Sequence, residues 1–372
     1  MTEKELSYYY WLHTIPGVGN KTIRMLRSCY KSPEQIYYAS EKELSHFLNE
    51  RQKKQIKHHK ESFNLSSEYQ KVKEKQINMY PINHPNYPKR LKNIPDSPEI
   101  LYVRGNLPPN DIPTVAIIGA RMCSQYGRYM AREFGMKLAC AGIPVISGMA
   151  LGVDGIAQRA ALNAGGDSYA VLGSGVDVCY PGENQDIYRQ MHEKGGIISE
   201  YPPGTQPKPG NFPPRNRIIS GLSDTILVIE AKEKSGTLIT VDMALEQGKE
   251  VFALPGRVTD SLSHGCNKLI LQGAGIATSP EAFLEEIMGC CKKEDTEQEK
   301  IECYQQKMVF LTVREEYVLQ ILDVNPMPIH QILLKVNEKT EMSIPELMDI
   351  LMSLCMKQQI MQIENHYMLK KV

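Results

Sequence analysis

Apolar positions fall into three regimes along the 372 residues. From residue 1 to about 75 they recur at helical spacing, and no glycine follows Gly19 there. From about 78 to 288 the pattern changes to short continuous apolar runs. These are "TVAIIG" (114–119), "IPVISG" (143–148), "SYAVLG" (168–173), "GIISE" (196–200), "TILVIEA" (225–231), "EVFALPG" (250–256) and "GIATS" (275–279). Runs that are apolar at every position predict strands buried on both faces. Helical patterns between them, as over 124–141 and 237–247, predict a doubly wound, mostly parallel α/β sheet. In such sheets ligands bind beyond the carboxyl ends of the strands. Here those ends are Gly119, Gly148, Gly173, Glu200, Ala231 and Gly256.

Two stretches break the alternation. Tyr201 to Arg217, "YPPGTQPKPGNFPPRNR", holds six prolines and predicts a long loop on the ligand side. Residues 289–307 are polar and charged and predict a linker. The expected organisation is therefore a helical domain over 1–75, the α/β domain over 76–288, the linker over 289–307 and a small helix-rich domain over 308–372.

Composition narrows the function. Lys plus Arg and Asp plus Glu both number 43, so the net charge is zero and any anion site must come from local clustering. Nine cysteines without a CxxC pair read as reduced thiols of a cytoplasmic protein. The N-terminus has no apolar signal core, and no apolar run reaches the roughly 20 residues of a membrane span. No HExxH, GxSxG or paired-carboxylate metal motif occurs, so no metal, no cofactor and no nucleophile–base pair are expected.

The strand-end turns carry the candidate chemistry. Gly119-Ala120-Arg121 opens like a dinucleotide turn, but Arg121 stands where a pyrophosphate would approach the backbone. An arginine at a helix start makes an anion site instead, with Ser124 as N-cap. The alternative for Arg121 is a surface ion pair. Ser147-Gly148 and Gly173 form two further Gly-rich turns. Arg215, Asn216 and Arg217 lie at a helix start, with Phe212 just before, a flat ring beside two cations that suits a nucleobase and its phosphates. The alternative for Phe212 is a core ring. Ser235, Gly236 and Thr237 look like an N-cap aimed at an anion, and Lys234 and Lys268 are weaker candidates. Near the N-terminus, "TIPGVGNKTIRML" fails as a P-loop, because Asn20 replaces the second glycine. It reads as a helical hairpin, either purely structural or gripping phosphate, with Lys21, Arg24 and Arg27 on its second helix.

Taken together, Gly-Ala-Arg…Ser-x-Tyr-Gly, Ser-Gly-Met-Ala-x-Gly-Val-Asp, Phe-Pro-x-Arg-Asn-Arg-Ile-Ile and Ser-Gly-Thr-Leu-Ile-Thr resemble the DNA-processing protein A family, over about residues 80–280. The resemblance implies a Rossmann-like domain behind a helix-hairpin-helix (SAM-like) domain, with a C-terminal winged-helix domain whose wing turns at Glu364-Asn365. It implies single-stranded DNA binding, loading of a RecA-type recombinase in transformation or recombination, a homodimer and no enzymatic activity. It puts DNA contacts at Gly119, Ala120 and Arg121. Two departures stand out: Gln158 replaces a usual His, and Pro214 replaces a common Lys.

Two rivals remain. A phosphoribohydrolase-like enzyme acting on nucleotides would need a glutamate where Thr240 stands. A nucleotide-sensing regulator would hold its ligand in the same turns and bind duplex DNA through the C-terminal domain.

Overall fold

The computed structural model describes residues 1–289, 312–323, 326–338, 340, 342–356, 359–363 and 366–369. All of the expected linker except residue 289, and the wing turn at Glu364-Asn365, lie outside them. By contacts the chain divides into two units, 1–123 with 131–292, and 124–130 with 293–372.

The larger unit is built on nine strands: β1 (Asn78–Pro81), β2 (Ile100–Gly105), β3 (Val115–Ile118), β4 (Val145–Ser147), β5 (Ser168–Val171), β6 (Gly195–Ser199), β7 (Thr225–Val228), β8 (Glu250–Ala253) and β9 (Gly275–Ile276). Their order is β1-β2-β6-β5-β4-β3-β7-β8-β9. Pairing is parallel from β6 through β9, and each of the seven apolar runs contributes one strand. β1 and β2 add an antiparallel edge on β6. Successive residues feed opposite cores. Leu101 and Val103 join Ile118, Val171 and Ile219 on one face, while Ile100 and Tyr102 join Leu172, Ile187 and Met191 on the other.

The proline-rich stretch departs from expectation. The helix begins at Phe212 and runs to Leu222, with Pro213 and Pro214 in its first turn. There the backbone N–H has no intrahelical partner, so proline costs nothing and its fixed φ favours the start.

The N-terminal helices have their own core around Trp11, Ile23, Leu26 and Ile56, and Tyr9, Tyr10 and Val72 extend the sheet core. The hairpin of helices Glu3–Thr14 and Asn20–Cys29 is present, with Gly17 at φ +77° in its turn. Arg24 and Arg27 are engaged by the α/β domain, contrary to a role on phosphate. Arg24 Nε lies 3.1 Å from Glu99 Oε1, its Nη2 donates to Ser97 O at 2.8 Å, and Arg27 pairs with the same, almost fully buried Glu99.

The described C-terminal residues form helices Val313–Ile321, Ile329–Asn337 and Ile344–Met356 and three antiparallel strands, Met327–Pro328, Ile360–Ile363 and His366–Leu369. They enclose a core of Val318, Ile332, Leu347, Leu351 and Tyr367. Among the described residues no helix is long and apolar enough to cross a membrane, and no three ligating side chains gather as a metal site.

Candidate nucleic-acid interface

Connections leave β3 and β7 toward opposite edges of the sheet, so a crevice opens at their carboxyl ends. It holds a cavity of about 600 Å³. One wall is Gly119-Ala120-Arg121 after β3. A second is the start of the helix Phe212–Leu222. A third, after β7, is Lys232 with Ser235-Gly236-Thr237.

Phe212 is half-buried at the rim. The Cζ of Arg121 lies 5.7 Å from its ring centroid and that of Arg215 lies 5.9 Å away. Tyr180, substantially exposed, extends the aromatic surface, its ring 5.7 Å from Phe212 at an interplanar angle of 31°. Both guanidiniums thus lie in cation–π range of one ring.

Arg215 is 5% exposed. Its Nη1 donates to Gly148 O at 2.8 Å and to Val171 O, and its Nε donates to Asn216 Oδ1 at 3.3 Å. Asp154, also buried, accepts from Gly148 N at 3.1 Å. The backbone of one residue, Gly148, thus meets the cation through its carbonyl and the carboxylate through its amide. Burial lowers the Arg215 pKa to about 10, with Asp154 opposing and Arg121 adding to the fall. Burial raises the Asp154 pKa, and Arg215 only partly offsets it. Gly148 and Gly173 are glycines for space: a Cβ would stand 2.7 Å from Arg215 Nη2 and 2.8 Å from Phe212 Cδ1.

Ser235 is the N-cap of the helix Gly236–Glu246 but bonds none of its amides, and its Oγ is buried without a partner among the described residues. A helix start with an unused hydroxyl suits an anion.

The structure sorts the expected site residues. Gly119, Ala120, Arg121, Phe212, Arg215, Asn216, Ser235, Gly236 and Thr237 line one cavity. Ser147, Gly148 and Gly173 do not line it. Ser147 Oγ is turned into the sheet, donating to Ile117 O at 2.6 Å, and the two glycines back Arg215 and Phe212. Ser124 accepts from Gly127 N at 3.0 Å as a helix cap and is not among the lining residues. Lys234 is exposed outside the lining, and Lys268 lies 3.3 Å from Glu233.

Arg217 requires a correction. It does not share a pocket with Arg215. It is buried in a bidentate pair with Glu200, at 2.8 and 2.6 Å, and its Nε donates to Asp96 O at 2.9 Å. Lys232 and Tyr180 were missed by sequence reasoning. The signal for Lys232 is present in "EAKEKSGT", where it stands directly after the apolar run of β7.

Gln158 is fully buried. Its Nε2 donates to Tyr169 O at 2.9 Å and its Oε1 accepts from Met149 N at 3.1 Å, so it staples the turn after β4. Gly152 braces the turn after β3. Its φ is +76°, and a Cβ there would stand 2.3 Å from the carbonyl oxygens of Ala120 and Arg121. Gly152→Ala is expected to lose about 2–3 kcal/mol in urea unfolding. A loss under about 0.5 kcal/mol would show that the turn relaxes freely.

A family model described as DNA recombination-mediator protein A matches residues 78–288, more than half the chain. The chain belongs to this family. Of DNA recombination-mediator protein A relatives, DNA processing protein DprA of Streptococcus pneumoniae is 42% identical over 201 residues, 54% of this chain and 71% of that protein. Protein Smf of Escherichia coli is 44% identical over 202 residues, 54% of each chain. The crystal structure of the pneumococcal DprA superposes with a TM-score of 0.66 at 33% identity, covering 77% of this chain and 98% of that one. DprA of Helicobacter pylori, whose structure was described for its single-stranded DNA binding mode, superposes with a TM-score of 0.53 at 31% identity, covering 58% and 97%.

Proposed function

We propose that this cavity rim binds single-stranded DNA, with a base on Phe212 and the flanking phosphates on Arg121 and the Ser235–Thr237 helix start. The observation that carries it is the half-buried Phe212 ring with two guanidiniums in cation–π range of it at the strand ends. The Helicobacter relative supports it, being a family member described with single-stranded DNA. A ring partly exposed at the rim suits stacking by an unpaired base over duplex. Family membership supports the further steps proposed here: the bound strand is shielded, then passed to a RecA-type recombinase, by a homodimer whose C-terminal unit is a winged helix. No enzymatic step is proposed. The only carboxylate lining the cavity among the described residues is Asp154, which is occupied by Gly148 N.

Arg121→Glu is expected to weaken binding of a labelled single-stranded oligonucleotide by about tenfold or more and to lower the salt slope by about one ion. Fluorescence anisotropy at two salt concentrations reads both. Unchanged affinity would refute the site. Displacement of the strand by a free mononucleotide would favour the nucleotide-sensing rival.

A further inference from the structure

We propose a second single-strand contact on the N-terminal helices, a cationic row ending on an exposed tyrosine. Residues 1–75 carry fourteen Lys and Arg against nine Asp and Glu in a chain of zero net charge. Many of these cations are spoken for: Lys4, Arg24, Arg27, Lys53, Lys71, Lys73 and Lys75 all have carboxylate partners. The helix Glu50–Ser62 is different. Only Ile56 of it is buried. Arg51, Lys54, Lys57 and Lys60 recur along it every third residue, and none has a carboxylate partner among the described residues.

A three-residue repeat forms a slanted ridge that rises about 14 Å along the helix and winds about half-way round it between Arg51 and Lys60. Its two ends are distinctive. Arg51 lines a hollow of about 290 Å³ with Pro16 and Gly17, the turn of the N-terminal hairpin. Lys60 Nζ sits 4.7 Å from the Tyr37 ring centroid and 5.8 Å from that of Tyr38. Tyr38 is 67% exposed, although its ring is positioned by edge contacts to Tyr8 and Tyr37 and its hydroxyl lies 3.3 Å from that of Tyr8. An aromatic face fixed in place, left open to solvent and flanked by an unpaired ammonium is a stacking platform for a base. Unpaired cations at regular spacing leading to it suit the backbone of one strand. The ridge occurs on a helix whose apolar content would not by itself require so much positive charge.

The test uses the full chain and anisotropy with two probes, a thymidine oligonucleotide of about six residues and one of about thirty. Lys54→Glu with Lys57→Glu, both at exposed positions, and separately Tyr38→Leu, are expected to weaken the long probe about tenfold while leaving the short one, held at the cavity, unchanged. The salt slope for the long probe should fall with the lysine pair and stay with Tyr38→Leu. Unchanged long-probe affinity in both variants overturns the proposal, as does an equal loss for both probes. Preferential loss of duplex binding also overturns it, assigning the ridge to duplex instead. The outcome separates from that at the cavity: loss with Arg121→Glu but not with the ridge variants sinks this proposal alone, and the reverse sinks the cavity reading alone.

Discussion

Arg215→Met should unfold in urea with a loss of about 3–5 kcal/mol relative to the parent chain. The cation is buried, and its hydrogen bonds to Gly148 O and Val171 O close the ends of β4 and β5. Methionine fills much of the same volume, so the cost arises from two carbonyls left without a donor and from Asp154 left without a nearby positive charge. The pH dependence tests the second part. Burial already holds the Asp154 pKa above its ordinary value, and without Arg215 it should rise further. A carboxyl group with a raised native pKa binds more protons folded than unfolded, so its contribution worsens as pH rises. The gap between variant and parent should therefore narrow as pH falls from 7 toward the raised Asp154 pKa. Adding Asp154→Asn to Arg215→Met should recover part of the loss at pH 7, since an amide can still accept from Gly148 N. A gap that stays constant with pH would mean that Asp154 does not depend on the guanidinium.

The sheet was legible because parallel strands buried on both faces need no alternation, and seven apolar runs were enough to locate seven strands. β1 and β2 were less so. "EILYVRG" has the same apolar character, but no crossover helix joins it to β1, and antiparallel edges lack the β-α-β rhythm that marks the rest. At the site, Arg121, Phe212 and Ser235–Thr237 were readable because each belongs to a strand-to-helix turn, and the topology brings such turns to one crevice.

The error over Arg217 has a geometric origin. In an extended loop, residues i and i+2 point the same way. With the helix starting at Phe212, two residues are about 200° apart, so Arg215 and Arg217 leave on nearly opposite faces. The helix start, expected at Arg215, lies earlier, at Phe212, which puts both arginines inside the first turns and not at the loop edge. Charge at a helix beginning was likewise ambiguous in Arg24 and Arg27. Glu99, which binds both, lies more than seventy residues away in sequence and has no local signature.

Glu200→Ala should cost about 3–5 kcal/mol and leave single-strand binding at the cavity intact in the folded fraction. Glu200 and Arg217 are both almost fully buried, and Asn20 Nδ2 adds a third bond to the carboxylate at 3.0 Å, linking the N-terminal hairpin to the end of β6. Burial works against the Arg217 charge, but Glu200 more than offsets it, so its pKa stands above the ordinary value. Removing the carboxylate leaves a largely buried cation whose remaining carboxylate partner among the described residues is Asp96, with an oxygen 3.7 Å from Arg217 Nε, which is why one alanine should cost so much. Replacing both members with apolar residues, as Glu200→Leu with Arg217→Met, should recover most of the stability, because the desolvation of both charges is then avoided. Binding distinguishes this account from a DNA-contact role. An arginine that contacted phosphate would bind DNA more tightly once released from Glu200, and Arg217→Met would flatten the salt slope. The expected result is the opposite on both counts: no gain in affinity with Glu200→Ala, and an unchanged slope in the double variant, with Arg217 serving only to seat the hairpin on the helix that carries Phe212 and Arg215.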